Sequence, residues 1–143
     1  MKIYTIGYEG AAQPEVIGRL KAAGVRLLVD VRAVAASRRA GFSKTVLGES
    51  LKAEGVDYLH LRALGTPKAG REAARKGRIE EMRAIFADHM AEPEAETAYQ
   101  QLRARASEQP VALLCFEAEA CGCHRAVLAE RLAAEDGFQV VNL

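Results

Sequence analysis

Short apolar segments that alternate with helical patterns are the feature that most constrains how this chain folds. Five segments are predicted to be strands because they are rich in valine, isoleucine, leucine and tyrosine, and three of them are continuously apolar. The five are Lys2–Ile6, Arg26–Val31, Val56–Leu61, Val111–Phe116 and Phe138–Asn142. Continuously apolar strands are typical of parallel sheets, in which both faces are covered by helices.

Helical patterns fill the intervals between these segments. The predicted helices run from Gln13 to Gly24, from Ser43 to Gly55, over Met82–Met90, onwards from Pro93, and from Cys123 to Gly137. Strands that alternate with helices predict an α/β fold, in which three α/β/α layers surround a five-stranded, mainly parallel, Rossmann-like sheet. We predict one domain over residues 1–143 and the strand order 3-2-1-4-5.

The composition is that of an ordinary globular domain. Half of the 143 residues are apolar and 27% are charged, which excludes a disordered chain. The longest apolar run, Val111–Phe116, is far shorter than the roughly 18 residues that span a bilayer, so we expect no membrane partner. Three cysteines and no recognisable signal peptide predict free thiols and a cytoplasmic location.

Residues that follow each predicted strand are candidates for a binding site. Ligands of open parallel sheets bind beyond the carboxyl ends of the strands, where the strand order reverses, which here lies between strands one and four. Arginine side chains offer a planar fork for phosphate or carboxylate, and a glycine lets the backbone approach a ligand. The candidate anion-binding residues are Gly7, Glu9, Arg32, Arg38, Cys115, Lys68 and Arg71.

The segment after the fourth strand carries most of the reactive side chains. Cys123 is predicted at the N-terminus of a helix, where backbone N–H groups and the helix dipole favour a thiolate or a bound anion. Glu117 could move protons, and an aspartate at a strand end could orient an arginine. The candidate catalytic residues are Cys123, Glu117, His124, Arg125 and Asp30.

Three interpretations of this segment stay open. In the first, Cys123 is a nucleophile assisted by its two neighbours. In the second, zinc is bound by Cys115, Cys121, Cys123 and His124. Structural zinc sites usually draw on two separated pairs of ligands, whereas these four fall within ten residues, so no cofactor is predicted. In the third, the same side chains only cap the helix and fill the core.

Motifs spread over nearly the whole chain together resemble a known family. They are Thr5–Gly10, Val29–Arg32, Ser37-Arg38, Gly41–Lys44, Leu64–Lys68 with Arg71, Leu113–Glu117 and Cys123–Arg125. The combination is similar to the "domain of unknown function 488" family of small bacterial and archaeal proteins. The resemblance implies a three-layer α/β fold with the motifs at one end of the sheet, and it implies no established reaction. Ala35, where the family usually has proline, and Cys121 depart from the pattern.

A weaker similarity connects the chain with rhodanese-like sulfur transferases. Val29–Arg32 and Val111–Cys115 resemble their strands, and Cys115 would fall at the sulfur-carrying position. That family closes a short loop around an anion, whereas the next arginine here is Arg125, ten positions later. The similarity favours thiol chemistry only slightly.

Two classes of function follow from these residues. The first is an enzyme that acts on a small molecule or nucleotide bearing phosphate or carboxylate. The alternative is a nucleic-acid-binding module that uses the basic region 32–78, which includes Lys68, Arg71, Arg75, Lys76 and Arg78. A net charge of +1 and the absence of tryptophan speak against the alternative. Nothing in the sequence indicates an oligomeric state.

Overall fold

The computed structural model describes all residues from 1 to 143 and contains one parallel sheet of five strands. The strands are β1 (Lys2–Gly7), β2 (Leu27–Asp30), β3 (Asp57–His60), β4 (Val111–Cys115) and β5 (Gln139–Asn142). The helices are α1 (Gln13–Ala22), α2 (Lys44–Ala53), α3 (Lys68–Arg75), α4 (Ile79–Met90), α5 (Pro93–Glu108) and α6 (His124–Asp136). Two short 3₁₀ helices cover Arg62–Leu64 and Ala120–Gly122.

Helices cover both faces of the sheet, which confirms the predicted α/β class. One core joins α1 and α2 to inward residues of the central strands such as Leu28 and Leu114. The other joins α4, α5 and α6 to the opposite face of the same strands, through Val29 and Leu113. Neighbouring residues of one strand thus enter different cores, because successive side chains point to opposite faces. None of the helices combines the length and the apolar character that a membrane span requires.

The order of the strands differs from the predicted 3-2-1-4-5, because β4 lies between β2 and β1 and the order is 3-2-4-1-5. Gly7 of β1 pairs with Cys115, and Asp30 of β2 pairs with Leu114. The physical reason is burial: residues 111–114 are completely inaccessible to solvent, as suits a strand paired on both edges and covered on both faces.

Strands β1 and β4 are nevertheless neighbours, as predicted for the crevice. The chain leaves β1 towards α1 on one face of the sheet and leaves β4 towards α6 on the other face. The two connections therefore diverge above the carboxyl ends of this strand pair. Such a divergence is where ligands bind in open parallel sheets.

Helix α3 was not among the predicted helices. Its buried residues are only Gly70 and Ala73, so it shows no apolar stripe of the kind that reveals a helix in a sequence. Gly70 packs so closely on Thr66 that a Cβ at this position would lie 2.2 Å from the Thr66 methyl group. Helix α3 matters for the site because it brings a row of basic side chains to the mouth of the crevice.

Candidate active site

A cavity of about 270 Å³ opens at the carboxyl ends of β1, β2 and β4. Its volume is slightly below the usual range for drug-sized ligands, about 300–1,000 Å³, so it suits a small molecule. The lining residues are Tyr8, Arg32, Ala33, Val34, Thr66, Arg71, Ala74, Arg75, Met82, Cys115, Phe116, Glu117, Cys123 and His124. The predicted site residues Cys115, Glu117, Cys123, His124, Arg32 and Arg71 are thus brought together at one cavity.

The orientation of the His124 ring is determined by the backbone of the neighbouring strand. Its Nε2 lies 2.7 Å from the carbonyl oxygen of Val31, the residue that follows β2. Because a carbonyl oxygen only accepts hydrogen bonds, Nε2 carries a hydrogen and donates it. The other ring nitrogen, Nδ1, is therefore the atom that faces the thiols.

Two thiols flank that nitrogen at nearly equal distances. Nδ1 of His124 is 3.7 Å from Sγ of Cys123 and 3.8 Å from Sγ of Cys115. The three atoms lie within 4.8 Å of one another, although Cys115 ends a strand and Cys123 precedes a helix. All three side chains are buried, with exposed fractions of 7% or less.

The surroundings of the two thiols shift their acidities in opposite directions. Burial raises the pKa of Cys123, but the Cys115 thiol and the charges of His124 and Arg125 outweigh burial and hold that pKa well below its ordinary value. The neighbouring Cys123 sulfur and burial hold the pKa of Cys115 well above its ordinary value. The thiol of Cys123 therefore ionises to a thiolate at a lower pH than the thiol of Cys115.

The imidazole responds to this thiolate. Burial lowers the pKa of His124, but the adjacent thiolate and the hydrogen bond to Val31 outweigh burial and raise the pKa above its ordinary value. Cys123 is also the N-cap residue of the 13-residue helix α6, as the sequence predicts, so the helix dipole adds to the stabilisation of a negative sulfur. The opposite directions of these two pKa shifts favour a thiolate–imidazolium ion pair between Cys123 and His124.

Glu117 is the acidic residue that lines the same cavity. Burial raises the pKa of its carboxyl group, and the negative charge of Cys123 raises it further. A carboxyl group with a raised pKa can donate a proton near neutral pH. Glu117 is therefore the candidate acid of the site.

Three predicted residues hold the segment that carries Glu117 and do not line the cavity. Gly7 approaches the segment so closely that a Cβ there would lie 1.8 Å from the Glu117 carbonyl oxygen. Arg125 donates to that oxygen from Nη1 at 2.6 Å, and the N–H of Ala118 donates to Oε1 of Glu9 at 3.0 Å. Their place in the structure is to position Glu117.

Asp30 and Arg32 form a buried ion pair behind the cavity. Arg32 donates from Nε and Nη2 to the two carboxylate oxygens of Asp30 at 2.9 and 2.7 Å. Its Nη1 donates to the Tyr8 hydroxyl and to the carbonyl oxygen of Phe42. Because four donated bonds occupy most of the guanidinium, Arg32 serves mainly to join the strand ends. Asp30 is fully buried and does not reach the cavity.

The cations that face the cavity mouth come from α3. Arg71 donates from Nη1 to the carbonyl oxygen of Thr66, and its other terminal nitrogen makes no hydrogen bond within the chain. Arg75 is exposed, lines the cavity and has no ion-pair partner. Lys68, on the same helix, and Arg38, on the loop after β2, are exposed and do not line the cavity.

Sequence reasoning missed two contributors to this site. Tyr8 stacks on Phe42 with ring centroids 4.4 Å apart and meets Phe116 edge to face at 5.4 Å, so it forms an aromatic wall of the cavity. Its position directly after β1, between two predicted site residues, was the available signal. Arg75 was noticed only as part of a basic run, because its place at the cavity depends on the unpredicted helix α3.

The zinc interpretation loses one of its four ligands. Cys121 is exposed and lies outside the group formed by Cys115, Cys123 and His124. Zinc in structural sites has four protein ligands, and catalytic zinc has three with an open position. The four-ligand zinc site is therefore excluded, because Cys121 does not join the other three side chains.

Comparison with known proteins places the chain in a family. The family described as "Domain of unknown function DUF488" matches residues 13–132, which include β2 to β4, the thiol pair and His124. The chain belongs to this family. No curated protein and no solved structure gives a significant match. The DUF488 assignment carries no reaction with it, so the function has to be argued from the site.

Proposed function

We propose that this DUF488 protein is a cysteine-dependent enzyme that acts on a small anionic molecule. The observation that carries the proposal is the contact between Nδ1 of His124 and Sγ of Cys123 at the wall of an open cavity. A nucleophilic sulfur must be a thiolate, and a histidine whose other nitrogen donates to a backbone carbonyl is held in the orientation that stabilises one.

The proposed roles follow from the positions of the side chains. The Cys123 thiolate attacks an electrophilic atom of the substrate, and the His124 imidazolium returns a proton to the leaving group. Glu117, on the same cavity wall, is an alternative donor of the proton that the leaving group takes up. Arg71 and Arg75 bind the anionic group, since their free donors face the cavity and charge-assisted hydrogen bonds suit phosphate or carboxylate.

The substrate class is limited by size and by charge. A cavity of about 270 Å³ admits a metabolite-sized molecule that bears phosphate or carboxylate, or part of a nucleotide. Free thiols without disulfides are typical of proteins in reducing compartments, so the cytoplasm is the proposed location. The three cysteines are free, as this proposal requires.

The nucleic-acid alternative has weaker support in the fold. Two arginines of the basic run already have partners within the chain. Arg71 donates a hydrogen bond from Nη1 to the carbonyl oxygen of Thr66, and Arg78 forms an ion pair with Glu81. Lys68, Arg75 and Lys76 remain exposed. Binding to a phosphate backbone would weaken steeply as salt rises, so a duplex affinity that is absent, or flat between low and moderate salt, excludes this alternative.

The rate of thiol alkylation as a function of pH, measured separately for each cysteine by mass spectrometry, tests the proposed enzyme. We expect Cys123 to react with iodoacetamide with an apparent pKa well below the free-thiol value of about 8.5. Reactivity is lost only as the pH falls through that lowered pKa. Exposed Cys121 serves as the internal reference, and metal-stripped and untreated samples are compared.

Two results would remove the proposal. Slow labelling of Cys123 over the whole pH range would make it a structural cysteine. A stoichiometric metal ion whose removal is required before Cys123 reacts would replace the free thiolate by a metal site. If Cys121 alone were labelled fast, the result would reflect its exposure to solvent and would not indicate an activated thiol.

A further inference from the structure

We propose that Cys115 is a second reacting thiol, and that the substrates of the site are small disulfides bearing a carboxylate or similar anionic group. This inference rests on the proposed function, because Cys123 must attack first. It adds an activity, thiol–disulfide exchange, in which the pair Cys115 and Cys123 is oxidised while the substrate disulfide is reduced to two thiols.

The geometry that supports this activity is one imidazole nitrogen shared by two sulfurs. Nδ1 of His124 lies 3.7 Å from Cys123 and 3.8 Å from Cys115, and its position is fixed by the bond from Nε2 to Val31. The same nitrogen can therefore exchange a proton with either sulfur without moving the ring. A site that used only one nucleophilic sulfur would not need a second sulfur at nearly the same distance from the imidazole nitrogen.

The first half of the exchange uses the ion pair. The Cys123 thiolate attacks one sulfur of the substrate disulfide, a new S–S bond forms, and the substrate S–S bond breaks. The departing thiolate takes the Nδ1 proton of His124 and leaves as a thiol. Cys123 is then half of a mixed disulfide, and His124 is neutral with an open lone pair at Nδ1.

The second half uses Cys115. Neutral His124 accepts the thiol hydrogen of Cys115, whose sulfur attacks Sγ of Cys123 and displaces the second substrate sulfur as a thiolate. That thiolate takes the proton back from His124. The protein ends with a bond between Cys115 and Cys123 and has lost two electrons and two protons, which the two released thiols have gained.

The sulfur positions permit this closure. The two sulfurs lie within 4.8 Å of each other, and a disulfide bond measures about 2.05 Å, so rotation of the side chains about their Cα–Cβ bonds has to bring them together. Both face the same cavity, whereas Cys121 is exposed and is not part of it. Cys121 is therefore a matched control for a cysteine outside the pair.

The anionic character of the substrate follows from the cavity mouth. Arg71 and Arg75 line it, and the one acidic group on the cavity wall, Glu117, is biased by burial towards its neutral form. A carboxylate of the substrate would form charge-assisted hydrogen bonds with these guanidinium groups inside the cavity. A substrate with a positive group at the same place would be repelled.

The experiment treats the reduced, metal-free protein with dithiodipropionate, which is anionic, and with cystamine, which is cationic and of similar length. Peptide mapping should find a disulfide between Cys115 and Cys123 in the wild type and in Cys121→Ser. Cys115→Ser should instead accumulate a mixed disulfide on Cys123. The anionic disulfide should react at least about tenfold faster, as one charge-assisted contact provides.

The possible outcomes distinguish a failure of the Cys115–Cys123 dithiol from a failure of Cys123 as a nucleophile. A wild-type protein that accumulates a stable mixed disulfide on Cys123, with no bond to Cys115, overturns the dithiol and leaves the nucleophile intact. Equal rates with the two disulfides overturn the assigned substrate class. A Cys123 that reacts with neither disulfide nor iodoacetamide, in the wild type and in Cys115→Ser, overturns both.

Discussion

At the scale of single residues, the chemistry depends on which atom of His124 faces the thiols. The sequence Cys123-His124-Arg125 predicts reactive groups at a helix start, and the structure brings them to one cavity with Cys115. The orientation of the ring could not be predicted, because it is set by the carbonyl oxygen of Val31, a backbone atom 93 positions away in the chain. Every residue has a backbone carbonyl, so the sequence does not indicate which one accepts a hydrogen bond from a distant side chain.

Arg75 is the residue whose proposed role in anion binding can be isolated most cleanly. Iodoacetate and iodoacetamide are related electrophiles that differ in charge, so the ratio of their rates at Cys123 reports attraction of the anion. We expect Arg75→Gln to lower this ratio by about tenfold, the factor given by one charge-assisted hydrogen bond, while the rate with iodoacetamide stays the same. Lys68→Gln, on the same helix but away from the cavity, is the control. A ratio unchanged by Arg75→Gln would place the anion site elsewhere.

At the scale of elements, the positions of the strands and of five helices along the chain were predictable. The order of the strands in the sheet was predicted only in part. The limits of β4 and α6 agree with their apolar patterns to within about a residue, whereas α3 has no such pattern. The position of β4 between β1 and β2 depends on pairing between residues more than 80 positions apart, such as Asp30 and Leu114. Periodicity along a chain does not encode such pairing.

The close approach of β1 to the segment after β4 gives a prediction about stability. Gly7→Ala would place a Cβ 1.8 Å from the carbonyl oxygen of Glu117, so the backbone of one segment must move. We expect a loss of about 1–3 kcal/mol in the free energy of unfolding, measured by urea denaturation.

Gly18→Ala is the matched control, because Gly18 lies inside α1 and a Cβ added there would have no other atom within 4 Å. It should stabilise the protein by about 0.5–1 kcal/mol, since alanine loses less conformational freedom in a helix. A neutral effect of Gly7→Ala would show that the segment carrying Glu117 is free to shift and is not held by the strand.

At the scale of the whole molecule, the buried pair Asp30–Arg32 connects parts that are distant in the chain. Asp30 ends β2 and accepts a hydrogen bond from Tyr58 of β3, while Arg32 holds Tyr8 after β1 and the Phe42 carbonyl before α2. The pair therefore fixes the relative positions of the strand ends that lie next to the cavity. The motif Val29–Arg32 was read as a ligand site from the sequence, and the structure adds this joining role.

Breaking this pair should destabilise the entire fold. Asp30→Asn leaves a buried guanidinium without its charge partner, so we expect a loss of about 3–5 kcal/mol in the free energy of unfolding. Glu130→Gln, which breaks the exposed pair with Arg83, should have a far smaller effect. Equal effects of the two substitutions in denaturation experiments would contradict the structural role given to Asp30.

The protonation state of His124 tests the ion pair most directly. Only three histidines are present, so imidazole nitrogen shifts can be assigned by NMR with single substitutions. At about pH 7.5, above the ordinary histidine pKa of about 6.5, we expect a doubly protonated His124 in the wild type. In Cys123→Ser the ring should become neutral, with its hydrogen on Nε2. A neutral His124 in the wild-type protein at this pH would contradict the thiolate–imidazolium pair on which the proposed function depends.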